Sequence, residues 1–138
     1  VAHGYKNGRR ILTQTIETTK PASAITLRAD RTTLQADGCD VSIVTVEIRD
    51  AKGRIVPDAC PVLTLRLEGE GRILGAGNGD PSYLGADHPT DPDCHEFTIP
   101  AFNGLAQVLL QSSTTPSAMV LSAFSGQLKK GAISITAQ

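Results

Sequence analysis

The chain has no tryptophan and few other aromatic residues. Aromatic side chains make up 4% of its 138 residues, as two tyrosines and three phenylalanines. Surfaces that bind carbohydrate usually offer an aromatic ring, because the ring face packs on apolar C–H groups while its edge stays wet. This shortage argues against an extended sugar platform. It leaves Tyr83 as the one aromatic side chain that we expect to be free for a sugar contact.

The chain also lacks an excess of charge of either sign and a long apolar run. Thirteen basic and 14 acidic residues give a formal net charge of −1. Without a basic field, nothing draws the surface to nucleic acid or to anionic lipid. No apolar run approaches the roughly 18 residues that a membrane span needs. We therefore expect no nucleic-acid partner and no membrane partner.

Cysteines are few and far apart. Cys39, Cys60 and Cys94 include no C-x-x-C pair, so a zinc clip is not expected. An odd number cannot pair completely, and one disulfide with one free thiol is as compatible with the sequence as three thiols. If the strands run as described below, all three fall towards one end of the fold, where a bridge is geometrically conceivable.

No segment shows the i, i+3, i+4 periodicity of a helix, whereas alternation with period two dominates. Alternation places successive side chains on opposite faces, which is typical of half-buried strands. Strands are predicted within residues 24–29, 44–49, 63–68, 72–76, 105–111, 118–124 and 133–136. About seven short strands separated by turn residues predict an all-β fold, an antiparallel Ig-like β-sandwich.

Residues 1–20 are predicted to form a separate unit. Asn7-Gly8 lies between two short segments and is a strong signal for a two-residue hairpin turn, since both residues accept positive φ. The polar stretch 18–23 is typical of a linker. We expect a hairpin in residues 1–20, either the tail of a preceding β domain or an edge extension, and the sandwich over residues 21–138.

The segment ILGAGNGDP, residues 73–81, raises the question of phosphate binding. A dinucleotide site needs a helix directly after its glycines, and a P-loop needs Gly-Lys-Ser or Gly-Lys-Thr. Neither follows Gly79, and Asp80 would repel phosphate. The glycines therefore predict a bend or a β-bulge, and no cofactor is expected.

The longest irregular stretch, residues 77–96, is rich in acidic residues and carries two histidines. The spacing of its oxygen ligands matches no EF-hand, and the separation of His88 from His95 fits no standard zinc site. Many carboxylate pairs could be drawn from it, so none stands out as an acid and base. No G-x-S-x-G motif is present. We expect no metal site and no catalytic residue in this chain.

Five stretches taken together resemble a known family. They are GYKNGRRI (4–11), LQADGCDVSIVTVEIRDAKGRIVPDA (34–59), LEGEGRILGAGNGDP (67–81), AFNGLAQVLLQSS (101–113) and LSAFSGQL (121–128). They are similar to the C-terminal bacterial Ig-like domain of glycoside hydrolase family 2 enzymes of the β-galactosidase type. The second stretch alone is shared with invasin-type bacterial Ig repeats. The opening hairpin resembles the end of the Ig-like domain that precedes this one in those enzymes.

The resemblance implies a non-catalytic accessory domain of a bacterial β-galactosidase-like glycoside hydrolase. The catalytic glutamates of that family lie in an upstream TIM barrel, for which this chain is too short. The domain would support multidomain assembly or border the active-site cleft, with the other domains of the parent glycosidase as partners. The resemblance also implies a periplasmic or secreted location.

Two loop motifs match the family pattern, and the resemblance implies a structural role for both. Their residues are Asn78, Gly79, Asp80 and Pro81 in the first motif, and Phe102, Asn103 and Gly104 in the second. We expect the two motifs to pack together and tie the long loop to the sandwich. The insert from Ser82 to Phe97 looks longer than many relatives carry. A carbohydrate-binding module centred on Tyr83 and an adhesin or invasin-type Ig spacer are the alternative functions.

Overall fold

The computed structural model describes all 138 residues and contains eleven strands and no helix. The strands are β1 (Ala2–Lys6), β2 (Arg9–Gln14), β3 (Ala22–Ala29), β4 (Thr33–Leu34), β5 (Val41–Asp50), β6 (Val62–Glu68), β7 (Gly71–Gly77), β8 (Glu96–Pro100), β9 (Leu105–Ser112), β10 (Ser117–Phe124) and β11 (Gly131–Ala137). The prediction of an all-β, Ig-like sandwich is confirmed. All seven predicted strands are present, and β4 and β8 are additional. No helix is available that could cross a bilayer.

Strands β3 to β11 form the two sheets of the sandwich. One sheet has the order β4-β11-β10-β6-β8 and the other the order β3-β5-β9-β7. Every neighbouring pair is antiparallel except β4 and β11, which run parallel over two residues. Edge positions therefore fall to β3 and β7 in the four-stranded sheet, and to β4 and β8 in the five-stranded one.

The core lies between the two sheets and consists of a cluster of 21 buried residues. The alternation in the sequence carries directly into it: Val44, Val46 and Ile48 of β5 are all 0% exposed. Leu63 and Leu65 of β6 face them from the other sheet and are also 0% exposed. Burying a side chain of this size contributes roughly 1.5–3 kcal/mol, so the two inner faces hold the sandwich together.

The hairpin of β1 and β2 forms a two-stranded sheet of its own. Asn7 and Gly8, with φ of 51° and 75°, make the tight turn that the sequence predicted. All six residues of β2 are exposed, including Ile11 at 65% and Leu12 at 62%. An isolated hairpin with apolar residues in water is marginally stable at best. Its assignment to a preceding domain stays a prediction.

The sandwich has two ends, which we call the junction end and the distal end. At the junction end the chain enters from the hairpin, and the backbone N–H of Lys20 is donated to the carboxylate of Asp50, where β5 ends. At the distal end β11 finishes, and Gln138 donates its N–H to the carbonyl of Leu34. The N–H of Gln35, which follows Leu34, is donated to the carboxylate of Asp40, directly before β5 begins. The entry point and the end of the last strand therefore lie at opposite ends of the sandwich.

All three cysteines are free in the structure, and they do not share one end. Cys39 lies at the distal end, where its carbonyl accepts a hydrogen bond from Gln111. Cys94 is near it in the fold, beside the first half of β7. Cys60 lies at the junction end, because the carbonyl of the preceding residue accepts the N–H of Gly104. The expectation that the three gather at one end is wrong for Cys60, since the corner that carries it belongs to the start of β6.

Candidate functional site

The glycine-rich segment after Ile73 forms a β-bulge. The pairing of β7 with β9 shifts register between Ile73 and Gly75. A Cβ atom on Gly75 would lie 2.9 Å from the carbonyl oxygen of Asp87. That oxygen accepts the N–H of Ala76 at 2.8 Å, so the glycine permits a close approach of two backbones. The prediction of a bulge is confirmed.

Residues 78–95, which we call the edge loop, run along the outer edge of β7. The N–H of Ile73 is donated to the carbonyl of Cys94, and that of Ala76 to Asp87, each at 2.8 Å. The last residue of the loop, His95, accepts the N–H of Leu67 in β6 at 2.8 Å. An uncovered edge strand presents unpaired backbone groups that can pair with another chain. The edge loop accepts two of these N–H groups on β7, those of Ile73 and Ala76.

The first loop motif forms a corner fixed by its own side chains. Asn78 donates from Nδ2 to the carbonyl of Pro100 at 3.0 Å, and its Oδ1 accepts the N–H of Asp80 at 3.0 Å. Asp80 in turn accepts from the Ser82 hydroxyl at 2.7 Å and the Ser82 N–H at 2.8 Å. The Ser82 hydroxyl, and to a smaller extent the Ser82 N–H, lower the pKa of Asp80. Pro81 follows at the exposed tip of the corner.

The second loop motif is a tight turn between residues 102 and 105. Phe102 and Leu105 exchange N–H···O bonds of 2.9 and 3.0 Å. Asn103 and Gly104 between them have φ of 52° and 78°, the backbone that a two-residue hairpin of this hand requires. The N–H of Gly104 is donated to Ala59 at 2.8 Å, which ties the turn to the segment after β5.

The two motifs approach each other through Pro100. Asn78 bonds to the carbonyl of Pro100, which stands two residues before Phe102. The side-chain hydrogen bonds of the corner reach no residue of the turn itself. The contact is therefore indirect, and the structural role of the seven motif residues stays a prediction.

Tyr83 lies half-buried against the hydrophobic core. Its hydroxyl donates to the carbonyl of Ala86 at 3.4 Å. A Cβ on Gly85 would lie 2.2 Å from that hydroxyl oxygen, so the ring folds back over its own loop. Part of the ring face is thus used by the protein, and a sugar contact at Tyr83 stays a prediction.

Sequence reasoning missed a charged network at the junction end. The side chain of Asp50 is 0% exposed and accepts five hydrogen bonds. Two come from the guanidinium of Arg54, at 2.9 and 2.7 Å, and three from the backbone N–H groups of Lys20, Lys52 and Arg54. The Arg54 side chain, followed by the Lys20 N–H, holds the pKa of Asp50 well below its usual range.

The network extends from the sandwich to the segment before it. Arg54 donates from Nη1 to the carboxylate of Glu17 at 2.7 Å. The Lys52 ammonium lies 3.5 Å from the same carboxylate. In the sequence, residues 50–53 signal only a tight turn. The turn is present, with Gly53 donating its N–H to the carbonyl of Asp50, but no pattern in the chain indicates the partner at residue 17.

The distal end carries a depression of about 500 Å³. Its lining is entirely polar or glycine: Gly38, Gly69, Glu70, Gly71, Arg72, Asp93, His95, Ser112 and Ser113. Arg72 is occupied there by hydrogen bonds to Gln111 and to the carbonyl of Pro92. The ring nitrogens of His95 face the carbonyls of Asp93 and Gly69. No group of three or more His, Cys, Asp or Glu side chains is placed to hold a metal ion.

Comparison with known proteins identifies one family. The family model described as glycoside hydrolase family 2 C-terminal domain 5 matches residues 25–134. The match begins within β3 and ends within β11, so it spans the sandwich and leaves out the hairpin.

Individual relatives are much longer proteins. The β-galactosidase BoGH2A of Bacteroides ovatus is 32% identical over 133 residues, which is 96% of this chain but 15% of that protein. A solved glycosyl hydrolase family 2 member from Bacteroides cellulosilyticus is 27% identical with a TM-score of 0.86, over 97% of this chain and 18% of that one. Another structure of such a member from this organism gives 26% identity and a TM-score of 0.85, with 99% and 17% covered. The chain is thus similar to a small part of each.

Proposed function

The chain belongs to the glycoside hydrolase family 2 C-terminal domain 5 family, and we propose that it serves as a non-catalytic accessory domain of a bacterial β-galactosidase-like glycosidase. The observation that carries the proposal is the coverage of the relatives. Almost the whole chain, 96% of it, corresponds to only 15% of the β-galactosidase BoGH2A. The remaining part of such an enzyme is long enough for a catalytic barrel, which takes roughly 250 residues.

The direction in which the pKa values of several aspartates are shifted supports a non-catalytic role. A general acid in glycoside hydrolysis needs a raised pKa, so that it carries a proton to the leaving group. Here hydrogen-bond donors lower the pKa of four turn or loop aspartates: Asp37, Asp50, Asp80 and Asp87. Apart from Lys20, which donates to Asp50 from across the fold, the donors lie within four residues of the carboxylate that they bind, as a carboxylate that shapes a turn requires.

The exposed hairpin supports a role in assembly. Its strands pair only with each other and leave Ile11 and Leu12 in water, which a stable domain avoids. We therefore assign residues 1–14 to the sheet of a preceding β domain of the same enzyme. Its partners would be the other domains of the parent glycosidase, and its location would be periplasmic or secreted.

The test compares three proteins: the parent enzyme, the parent without residues 21–138 of this chain, and this chain alone. Hydrolysis of a nitrophenyl galactoside is followed together with the melting temperature. We expect turnover from the parent and none above buffer from this chain. The truncated parent should lose thermal stability, because domain packing is lost, while its barrel keeps the catalytic groups.

Two results would contradict the proposal. Turnover by this chain alone would place catalytic groups in the sandwich. Saturable binding of galactosides to this chain, abolished in Tyr83→Ala, would instead assign it to carbohydrate binding.

A further inference from the structure

The segment that connects the hairpin to the sandwich is held by side chains of the sandwich. Glu17 accepts a hydrogen bond of 2.7 Å from Arg54, and the Lys20 N–H is donated to Asp50 at 2.9 Å. These residues are 30 or more positions apart in sequence. A polar linker without such partners would be free to move, since nothing would offset the entropy of its ordering.

Arg54 connects the sandwich to the segment that precedes it. Nε and Nη2 bind the buried carboxylate of Asp50, and Nη1 binds Glu17. The planar guanidinium places these nitrogens in a fixed fork, so an acid on one side orients the acid on the other. Lys52 also approaches Glu17, and two acidic groups thus face two basic ones. The network is neutral as a whole and needs no further ion.

A second set of contacts fixes the segment of the sandwich that lies next to the linker. Gly104 donates its N–H to Ala59, and Val56 donates its N–H to the carbonyl of Ile48. The segment 56–59, fixed in this way, and residues 19–22 line a depression of about 430 Å³ between them. The tight turn at Gly104 therefore positions the surface along which the linker runs.

We propose that Glu17, Arg54 and Asp50 form an interdomain clamp, which fixes the direction in which the preceding β domain stands relative to the sandwich. The partner is the domain whose sheet the hairpin completes, so the inference rests on the proposed function. The three side chains are positioning residues. They act by restricting the linker to one conformation.

The clamp is tested in the 138-residue chain with the variant Glu17→Ala. Glu17 is half exposed, and its removal leaves all five bonds to Asp50 in place, so the sandwich keeps its fold. Hydrogen exchange of the Lys20 amide should become about two- to fivefold faster, the range expected from losing an exposed ion pair. The ratio of 15N transverse to longitudinal relaxation rates for hairpin amides should fall below that of sandwich amides. The melting temperature of the sandwich should not change.

Glu68→Ala is the matched control, because Glu68 is an exposed glutamate at the distal end of β6. It should leave both the Lys20 exchange and the relaxation ratio unchanged. Equal Lys20 exchange in Glu17→Ala and the unchanged chain would overturn the clamp. So would hairpin amides that already tumble independently in the unchanged chain. Neither readout depends on turnover, so the clamp and the proposed function can fail separately.

Discussion

Gly104 lies where two backbones meet at the junction end. Its φ is +78°, which side-chain-bearing residues rarely adopt, and a Cβ there would lie 2.3 Å from the carbonyl oxygen of Val56. Gly79 has a similar φ of +76° but nothing within 4 Å of a Cβ. The two glycines therefore separate the cost of backbone conformation from the cost of a steric clash.

We predict that Gly104→Ala destabilises the sandwich more than Gly79→Ala. The left-handed backbone alone costs roughly 1–2 kcal/mol with a side chain, which both variants incur. The overpacking against Val56 adds about 1–3 kcal/mol in Gly104→Ala only. Urea unfolding of both variants checks the difference. Equal losses would show that Val56 moves aside without cost.

The pH dependence of stability reports on Asp50. Its pKa is lowered in the folded state, so the unfolded chain takes up this proton first as the pH falls. The stabilisation is complete above the unfolded pKa of about 4 and is lost as the pH falls through the lower folded value. We predict that Asp50→Asn is less stable at pH 7 and loses less of its stability between pH 5 and pH 2.

Urea unfolding at pH values from 2 to 7 checks this prediction. Asp58→Asn serves as the control, because Asp58 is exposed and accepts no hydrogen bond from the turn at residues 50–54. It should follow the unchanged chain at every pH. If Asp50→Asn loses as much stability as the unchanged chain between pH 5 and pH 2, Asp50 does not cause the acid dependence of stability.

The local sequence predicted the turn at Gly104 but not the role of Asp50. Asn103-Gly104 indicates a turn because both residues accept positive φ, which is a property of the dipeptide itself. The role of Asp50 depends on the N–H of Lys20, which reaches it only after the chain has folded, and on Arg54, which Glu17 contacts from the other side. No local pattern contains that information.

At the scale of elements, the sequence predicted the central strands but not two strands at the sheet edges. Period-two alternation predicted β5 and β6 because their inner faces are continuous. It missed β8, whose five residues end on a proline, and β4, which has only two residues. Both lie at sheet edges, where one neighbour is enough and the sequence pattern is short.

We predict that Gly75→Ala loosens the edge loop. The added Cβ would lie 2.9 Å from the Asp87 carbonyl and push it away from the N–H of Ala76. Exchange of the Ala76 amide should accelerate, and stability should fall by about 1–3 kcal/mol. Light scattering should show association, because the edge of β7 becomes available for pairing.

Gly77→Ala is the control for this element, since nothing lies within 4 Å of a Cβ at Gly77. It should keep the Ala76 amide protected and the protein monodisperse. An Ala76 amide that is equally slow in both variants would mean that the loop does not depend on Gly75.

At the scale of the whole molecule, the sandwich and the hairpin differ in what stabilises them. The sandwich has a core of 21 buried residues, whereas the strands of the hairpin pair only with each other. The turn dipeptide predicted the hairpin, and alternation predicted the sandwich. The course of the linker between them was not predictable, because it follows from charged contacts across the fold.

We predict that removing residues 1–14 leaves the melting temperature of the sandwich within about 2 °C, since no core residue is lost. Near-ultraviolet circular dichroism and calorimetry check this on residues 15–138. Removing residues 1–21 should have a larger effect, because the Asp50 carboxylate then loses the Lys20 N–H. A large loss in the shorter deletion would show that the hairpin belongs to the cooperative unit.

The opposite positions of the chain entry and of the end of β11 also determine how the domain responds to mechanical tension. A pull on the linker and on the end of β11 acts along the strands. It loads the β3–β5 ladder, from the pair Ala22 and Asp50 to the pair Ala29 and Val44, in shear. All rungs then bear force together, whereas peeling would break them in succession. Such a module extends under load only when the whole ladder ruptures, and its lifetime is set by the unfolding rate.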